Sequence, residues 1–255
     1  MLAGRLLRVS GSASWNMALD EALLSLAPST DQYLLRLYTW AKPAVTIGRF
    51  QNAAACLDQR LCRDLRIDVI RRPTGGRAVY HATDLTYALV LPESAVGGAS
   101  VVRSYRTISL AMAQAFASVG LKMQEGTQAP PGPSSRVDCF AHSTISDLGI
   151  EGRKMIGSAQ VRRRGWLLQQ GSIRAWPIAI PPGLFKTETP QPCIPLPSHG
   201  LSGAALGDRL ATELGKLLRC AWVDSVGSDS EIDLCESLVR AKYGSREWNW
   251  EGVVD

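Results

Sequence analysis

Cys139, Lys154 and the run Arg71-Arg72-Pro73-Thr74-Gly75-Gly76-Arg77 are the residues of this chain whose types and spacing lend themselves to chemistry. A thiolate is a nucleophile, and a nearby ammonium favours that charged form over the thiol. Cys139 follows a Pro/Gly-rich stretch, has Asp138 beside it, and stands a short loop and strand before Lys154. The lysine opens the segment Lys154-Met155-Ile156-Gly157-Ser158-Ala159-Gln160, where Gly157, Ser158 and Ala159 make a floor of small residues. A lysine beside such a floor can hydrogen-bond an acyl carbonyl lying across it and stabilise the developing oxyanion. Thiol and amine together point to acyl transfer. Each alone has a plainer reading, an inert buried cysteine and a solvated lysine. His142 is a competing base and ranks behind Lys154.

The run after the apolar pair Val69-Ile70 joins a strand to a glycine turn. Gly75 and Gly76 allow positive φ and a close approach of backbone N–H groups to a ligand, although two glycines alone read as an ordinary tight turn. Arg71, Arg72 and Arg77 concentrate donors and positive charge around that turn, where an anionic or carbonyl-bearing ligand can sit. The pattern is neither a P-loop nor Gly-x-Gly-x-x-Gly, so nucleotide binding does not follow from it. Arg162-Arg163-Arg164 reads first as a solvated strand end, with a nucleic-acid patch or the docking of an acidic protein as alternatives.

These groups need elements to hold them. Apolar residues at helical intervals predict a helix from residue 15 to 26, with Ser14 as its cap and with Asp20 and Glu21 off the apolar stripe. Short β-rich runs predict strands at 33–38, 44–47, 67–71, 84–91, 148–150, 154–161 and 166–173, with turns at Gly152 and Gly165. Helices are expected at 58–65, at 104–119 with Gly120 as its stop, at 205–222 and at 230–243. Residues 126–135 hold three prolines and read as a mobile loop at an entrance, and 177–197 as an extended connection. Helices that alternate with strands only at intervals favour α+β.

The chain has 255 residues, a formal net charge of +5 and six cysteines without metal-type spacing. A disulfide framework or a metal site is therefore not expected. The charge suits an acidic partner, whether nucleic acid, a phosphorylated ligand or a carrier protein. No apolar run reaches the length of a membrane span, and residues 1–15 lack the order of a secretory signal, so the expected location is the cytoplasm.

The Arg71 to His81 run, Leu85-Thr86-Tyr87, Asp138-Cys139-Phe140 and Gly152-Arg153-Lys154-x-x-Gly157-Ser158-Ala159-Gln160 together resemble the lipoate–biotin protein ligase superfamily, and within it the cysteine-dependent octanoyltransferases. Segments 16–22, 40–51, 169–173 and 243–248 extend the likeness over most of the chain. The resemblance implies an α+β fold, a mixed β-sheet flanked by helices as in biotin/lipoate ligase catalytic domains, in one catalytic domain over 1–255 (core 1–176; proline-rich connection and helical extension 177–255). It implies that Cys139 carries the acyl group as a thioester, that Lys154 contacts its carbonyl, and that Arg72, Gly75, Gly76, Arg77, Tyr80, His81, Gly157, Ser158 and Ala159 border the pocket. Octanoyl-acyl carrier protein would be the donor. A lipoyl domain, such as glycine cleavage H protein or the acyltransferase component of a 2-oxoacid dehydrogenase, would be the acceptor, with neither nucleic acid nor membrane as partner. No ATP, metal or other cofactor is implied.

ATP-dependent lipoate ligases usually read Gly-Gly-Gly where this chain has Gly75-Gly76-Arg77, and they lack the cysteine. An ATP-dependent ligase, an amidotransferase between lipoylated proteins and a non-enzymatic carrier-binding module stay open as alternatives. One departure stands out: Ala82 replaces the Asp common after the motif histidine, with Asp84 nearby.

Overall fold

The computed structural model describes residues 2–126, 138–141, 147–150, 153–186 and 201–253. Strand β1 (Leu2–Leu7) leads into α1 (Ala13–Thr30), β2 (Leu34–Tyr38), β3 (Ala44–Ile47), the short helices α2 (Ala53–Cys56) and α3 (Gln59–Asp64), and β4 (Asp68–Arg71). Then come β5 (Val79–His81), β6 (Leu85–Pro92), α4 (Val101–Ala117), β7 (Gln124–Glu125), β8 (Leu148–Ile150), β9 (Arg153–Arg163) and β10 (Trp166–Ile173). The C-terminal part adds α5 (Gly203–Leu218), β11 (Cys220–Ser225) and α6 (Asp229–Leu238).

Eight strands form a mixed sheet in the order β11-β1-β2-β6-β10-β9-β8-β7, and three form a second sheet, β4-β3-β5. Alternation along the strands gives the large sheet two apolar faces. Leu35, Leu37, Leu89 and Leu167 pack with α4 and α5 on one face, while Leu34, Ala88, Val90 and Leu168 pack with α1 on the other. The smaller sheet sits on the α1 side, with Ala44 and Ile70 in the same cluster as Met17. Space for a ligand arises where the two sheets and α1 converge.

Sequence and structure differ at several element ends, each for a local reason. The cap of α1 is Ser12, whose side chain accepts from Trp15 N at 3.2 Å, and Ser14 lies within the first turn. α5 stops at Leu218 because Arg219 turns left-handed (φ 50). Cys220–Ser225 therefore forms a strand parallel to β1 where the helical reading ran to 222. α6 ends at Leu238, and a wider turn over Val239–Tyr243 follows, closed by Gly244 N donating to Val239 O at 2.8 Å. Residues 127–135, His142, Gly152 and 187–197 lie outside the described residues.

Glu21, off the apolar stripe of α1, is nonetheless buried because the C-terminal segment covers it. It accepts from Lys242 Nζ at 2.6 Å, from Arg163 at 2.8 Å and from the Tyr243 hydroxyl. Burial raises a carboxyl pKa, but the Lys242 charge and the hydrogen bonds from Lys242, Tyr243 and Arg163 outweigh it and hold Glu21 below its usual 4.5. A carboxylate with a lowered native pKa stabilises the fold above its unfolded value, and that stability is lost as pH falls through the native value. Glu21→Gln should therefore destabilise the protein at neutral pH by about 1–3 kcal/mol and flatten the fall in stability on acidification below about pH 4.5. Urea denaturation across that pH range reads both effects.

Candidate active site

The glycine turn is held by arginines spent on backbone carbonyls. Arg71 donates to Gly48 O, Arg49 O and Gln51 O at 3.1, 3.0 and 2.7 Å, and its Nε to Trp248 O at 2.7 Å. Arg72 donates to Thr46 O and Oγ1 at 3.1 and 2.7 Å, and to Gly75 O and Arg77 O at 2.9 and 2.8 Å. The cluster of donors expected to face a ligand is thus largely turned inward, because folded carbonyls left without partners are costly. Gly76 has φ 87, and a Cβ on Gly48 would stand 1.9 Å from Gly76 O. Both glycines are required for this close backbone contact.

The turn positions the cysteine. Ala78 pairs with Asp138 in a parallel bridge, and Cys139 N donates to Ala78 O at 2.8 Å. Lys154, on β9, reaches Cys139 Sγ at 3.3 Å and Cys139 O at 3.0 Å. It also pairs with Asp147 Oδ2 at 2.8 Å, and the lysine side chain is only 4% exposed. Burial works to lower the Lys154 pKa, but the charge interactions and hydrogen bonds with Cys139 and Asp147 outweigh it and raise it above its usual 10.5, so the amine stays an ammonium. A Cβ on Gly157 would lie 3.1 Å from both Cys139 Sγ and Lys154 Cε. The small-residue floor therefore has a steric cause at its first position.

Sequence reasoning missed Asp147. It carries no motif of its own, and only the antiparallel pairing of β8 with β9, with Gly149 opposite Lys154, brings it to the amine.

Cys139 borders a cavity with about 30 Å³ of open space. Of the expected pocket residues, Arg72, Gly76, His81, Gly157, Ser158 and Ala159 line it, and Gly75, Arg77 and Tyr80 do not. Tyr80 departs because side chains alternate along β5: Val79 and His81 face the cavity, while Tyr80 packs with Val45, Ile47 and Phe185. Ser158 hydrogen-bonds Tyr87 Oη at 2.7 Å, and Tyr87 belongs to the apolar cluster under α4. Met17, Tyr38, Trp40, Thr46, Thr86 and Gln170 also line the cavity and were not foreseen. They come from α1 and four strands or their flanks; most lie in segments that carry the family likeness, but nothing local marks them as one wall.

His81 is committed within this wall. Its Nδ1 lies 2.7 Å from Asp84 Oδ2 and its Nε2 2.8 Å from Thr46 Oγ1, with Trp40 stacked on the ring at 4.1 Å. Burial lowers the His81 pKa despite Asp84, whereas the His81 and Ser172 contacts keep Asp84 below 3.8 against its own burial. Hydrogen-bond accounting then assigns a neutral ring with the proton on Nδ1, donating to Asp84. The Thr46 hydroxyl accepts from Arg72 and donates to Nε2. No lone pair of His81 remains for the sulfur. Asp84 Oδ1 also accepts from Ala82 N at 3.1 Å.

Arg162 and Arg163 are not free strand-end charges. Arg162 pairs with Glu93 at 2.9 Å and donates to Ser104 Oγ at 2.8 Å, and Arg163 pairs with Glu21 at 2.8 Å. Among the described residues, no helix is long and apolar enough to cross a membrane.

Residues 12–175 match the lipoyl protein ligase A/B catalytic domain, and the chain belongs to that family. It is 39% identical to Octanoyltransferase LipM of an Exiguobacterium species over 173 residues, 64% of this chain but only 62% of that relative's length. It is 32% identical to Octanoyltransferase LipM of Carboxydothermus hydrogenoformans over 261 residues, 94% of this chain and 95% of that one. A T. acidophilum protein described as a lipoate protein ligase, solved with bound lipoic acid, shares the fold with a TM-score of 0.80 at 23% identity, over 98% of this chain and 100% of that one. The mixed sheet flanked by helices that the resemblance implied is the architecture found.

Gly157→Ala tests the crowding at the sulfur. The added methyl should push Cys139 Sγ and Lys154 apart and slow alkylation of Cys139 by iodoacetamide by roughly tenfold, equivalent to about 1.4 kcal/mol, with the unfolding transition little changed. Peptide mass spectrometry over a time course follows the reaction.

Proposed function

We propose that this chain is an octanoyltransferase that moves an octanoyl group from the thioester of an acyl carrier protein to a lysine of a lipoyl domain. The observation that carries this reading is the buried Lys154 ammonium 3.3 Å from Cys139 Sγ at the edge of the cavity. The ammonium stabilises the thiolate, which attacks the thioester carbonyl; the C–S bond to the carrier breaks and the carrier leaves as a thiolate that takes up a proton. Octanoate is then held on Cys139. The acceptor amine attacks this second thioester, an amide forms, and Cys139 leaves as the thiolate while the amine nitrogen loses a proton to solvent. Exchange between thioesters is nearly balanced and thioester to amide is downhill, so the sequence needs no ATP.

Lys154 serves both steps by donating to the carbonyl oxygen as it gains charge. Asp147 holds the amine in position and keeps it charged. His81 serves as wall and as an anchor for Arg72, not as base. The 255 residues act as one catalytic unit in this reading. Its support is that the C-terminal part supplies β11 to the large sheet and Trp248 O to Arg71.

Octanoyl carrier protein should add one octanoyl group to the chain, removable by hydroxylamine and absent from Cys139→Ala. Lys154→Ala should slow that acylation by on the order of 10²-fold with little loss of carrier binding. Intact mass spectrometry and single-turnover kinetics measure the two effects. Labelling that persists in Cys139→Ala, or activity that requires free octanoate and ATP, overturns the reading.

A further inference from the structure

The cavity crosses the strands of the large sheet rather than running along one of them. Gly157 of β9 pairs with Ser172 of β10, Ser172 with Thr86 of β6, and Thr86 with Tyr38 of β2, and all four line the cavity. The sulfur stands at the Gly157 end. Three strand spacings separate Gly157 from Tyr38, about 14 Å at the usual distance between neighbours. An extended octanoyl group reaches roughly 10 Å from the sulfur to its terminal methyl with C–C bonds of about 1.5 Å. Carbon–carbon contact takes up about 4 Å more. Eight carbons match the length of the row, and a dodecanoyl chain overshoots it.

What closes the far end is part rigid and part soft. Tyr38 Oη and Gln170 Nε2 both donate to Asp20 Oδ2, at 2.9 and 2.6 Å. Arg36 binds Asp20 Oδ1 at 2.6 Å, and Thr74 Oγ1 donates to Gln170 Oε1 at 2.9 Å. These groups are buried and interlocked, so they hold their places. Met17, on α1, is 1% exposed, lines the same cavity, and meets this network through a 3.5 Å contact of its sulfur with Gln170 Nε2. Its unbranched side chain is the adaptable part of the wall.

We propose that the acyl chain lies across β9, β10 and β6, and that Met17, backed by the rigid Tyr38–Asp20–Gln170 wall, is the stop that sets its length. The assignment rests on the acyl-enzyme reading and makes Met17 a specificity-determining residue.

The test offers the protein an equimolar mixture of small hexanoyl, octanoyl, decanoyl and dodecanoyl thioesters and reads the acyl-enzymes by intact mass. Wild type should favour octanoyl. Met17→Ala should raise the decanoyl-to-octanoyl ratio by roughly tenfold or more, and Met17→Phe should shift preference toward hexanoyl by a similar factor. Thermal-shift titrations with the free fatty acids read the same ruler without any transfer step. Fatty acids that follow the predicted length shifts without any acyl-enzyme forming would sink the transfer reading and leave the ruler standing. Acyl-enzymes whose length profile is unchanged in both variants, or lowered equally for every chain in Met17→Ala, overturn the ruler.

Discussion

Burying the Lys154 ammonium constrains the whole site. An unpaired charge in a protein interior costs several kcal/mol, so a lysine with a 4% exposed side chain persists only where polar partners are brought to it. Asp147 meets one side of the amine and the Cys139 sulfur the other. Each partner depends on a different piece of structure: Asp147 on the β8–β9 pairing, Cys139 on its backbone bond to Ala78. The reactive pair is therefore held by the same requirement that keeps the fold free of an unpaired buried charge.

A second constraint runs through the arginines. Arg71 and Arg72 adjoin in sequence but serve different walls, Arg71 tying residues 48–51 to the C-terminal Trp248 and Arg72 tying β3 to the glycine turn. The guanidinium fork suits this work, since several carbonyls can be satisfied by one rigid donor set. Gly48 then lets two stretches of backbone meet where a side chain would hold them apart, and Gly76 supplies the positive φ the turn needs. Because Ala78 follows directly, the geometry of this turn is transmitted to Cys139 with no flexible segment between.

Polar groups are abundant in this interior, and they are arranged as closed sets. Asp84, His81, Thr46 and Arg72 form one, and Asp20, Arg36, Tyr38 and Gln170 another. Each satisfied donor and acceptor removes a reason for the wall to move, which leaves a shaped cavity with one soft side chain, Met17. The same arrangement explains why His81, which looks reactive as a motif residue, has its nitrogens engaged by structural partners.

The amino-acid order alone determined the local chemistry. Alternating and helical periodicities located most strands and helices, and the spacing of Cys139, Lys154, Gly157 and Ala159 picked out groups that do adjoin, because a strand and its preceding segment carry them. Elsewhere the same reasoning lacked what it needed. Tyr80 shares a three-residue strand with His81 but faces away, since the side of a pleat turned to the cavity is set by which sheet packs against it. Arg162 and Arg163 read as solvated charges until the pairing with Glu93 and Glu21 from distant segments is known. Asp147 and Tyr38 carry no local mark, and the segments 16–22 and 169–173, which extend the family likeness, do not single out Met17 and Gln170 as cavity residues. Their place follows from strand order and from α1 lying across the sheet, and such long-range contacts arise from burial of shared apolar surface, which no short window of sequence encodes.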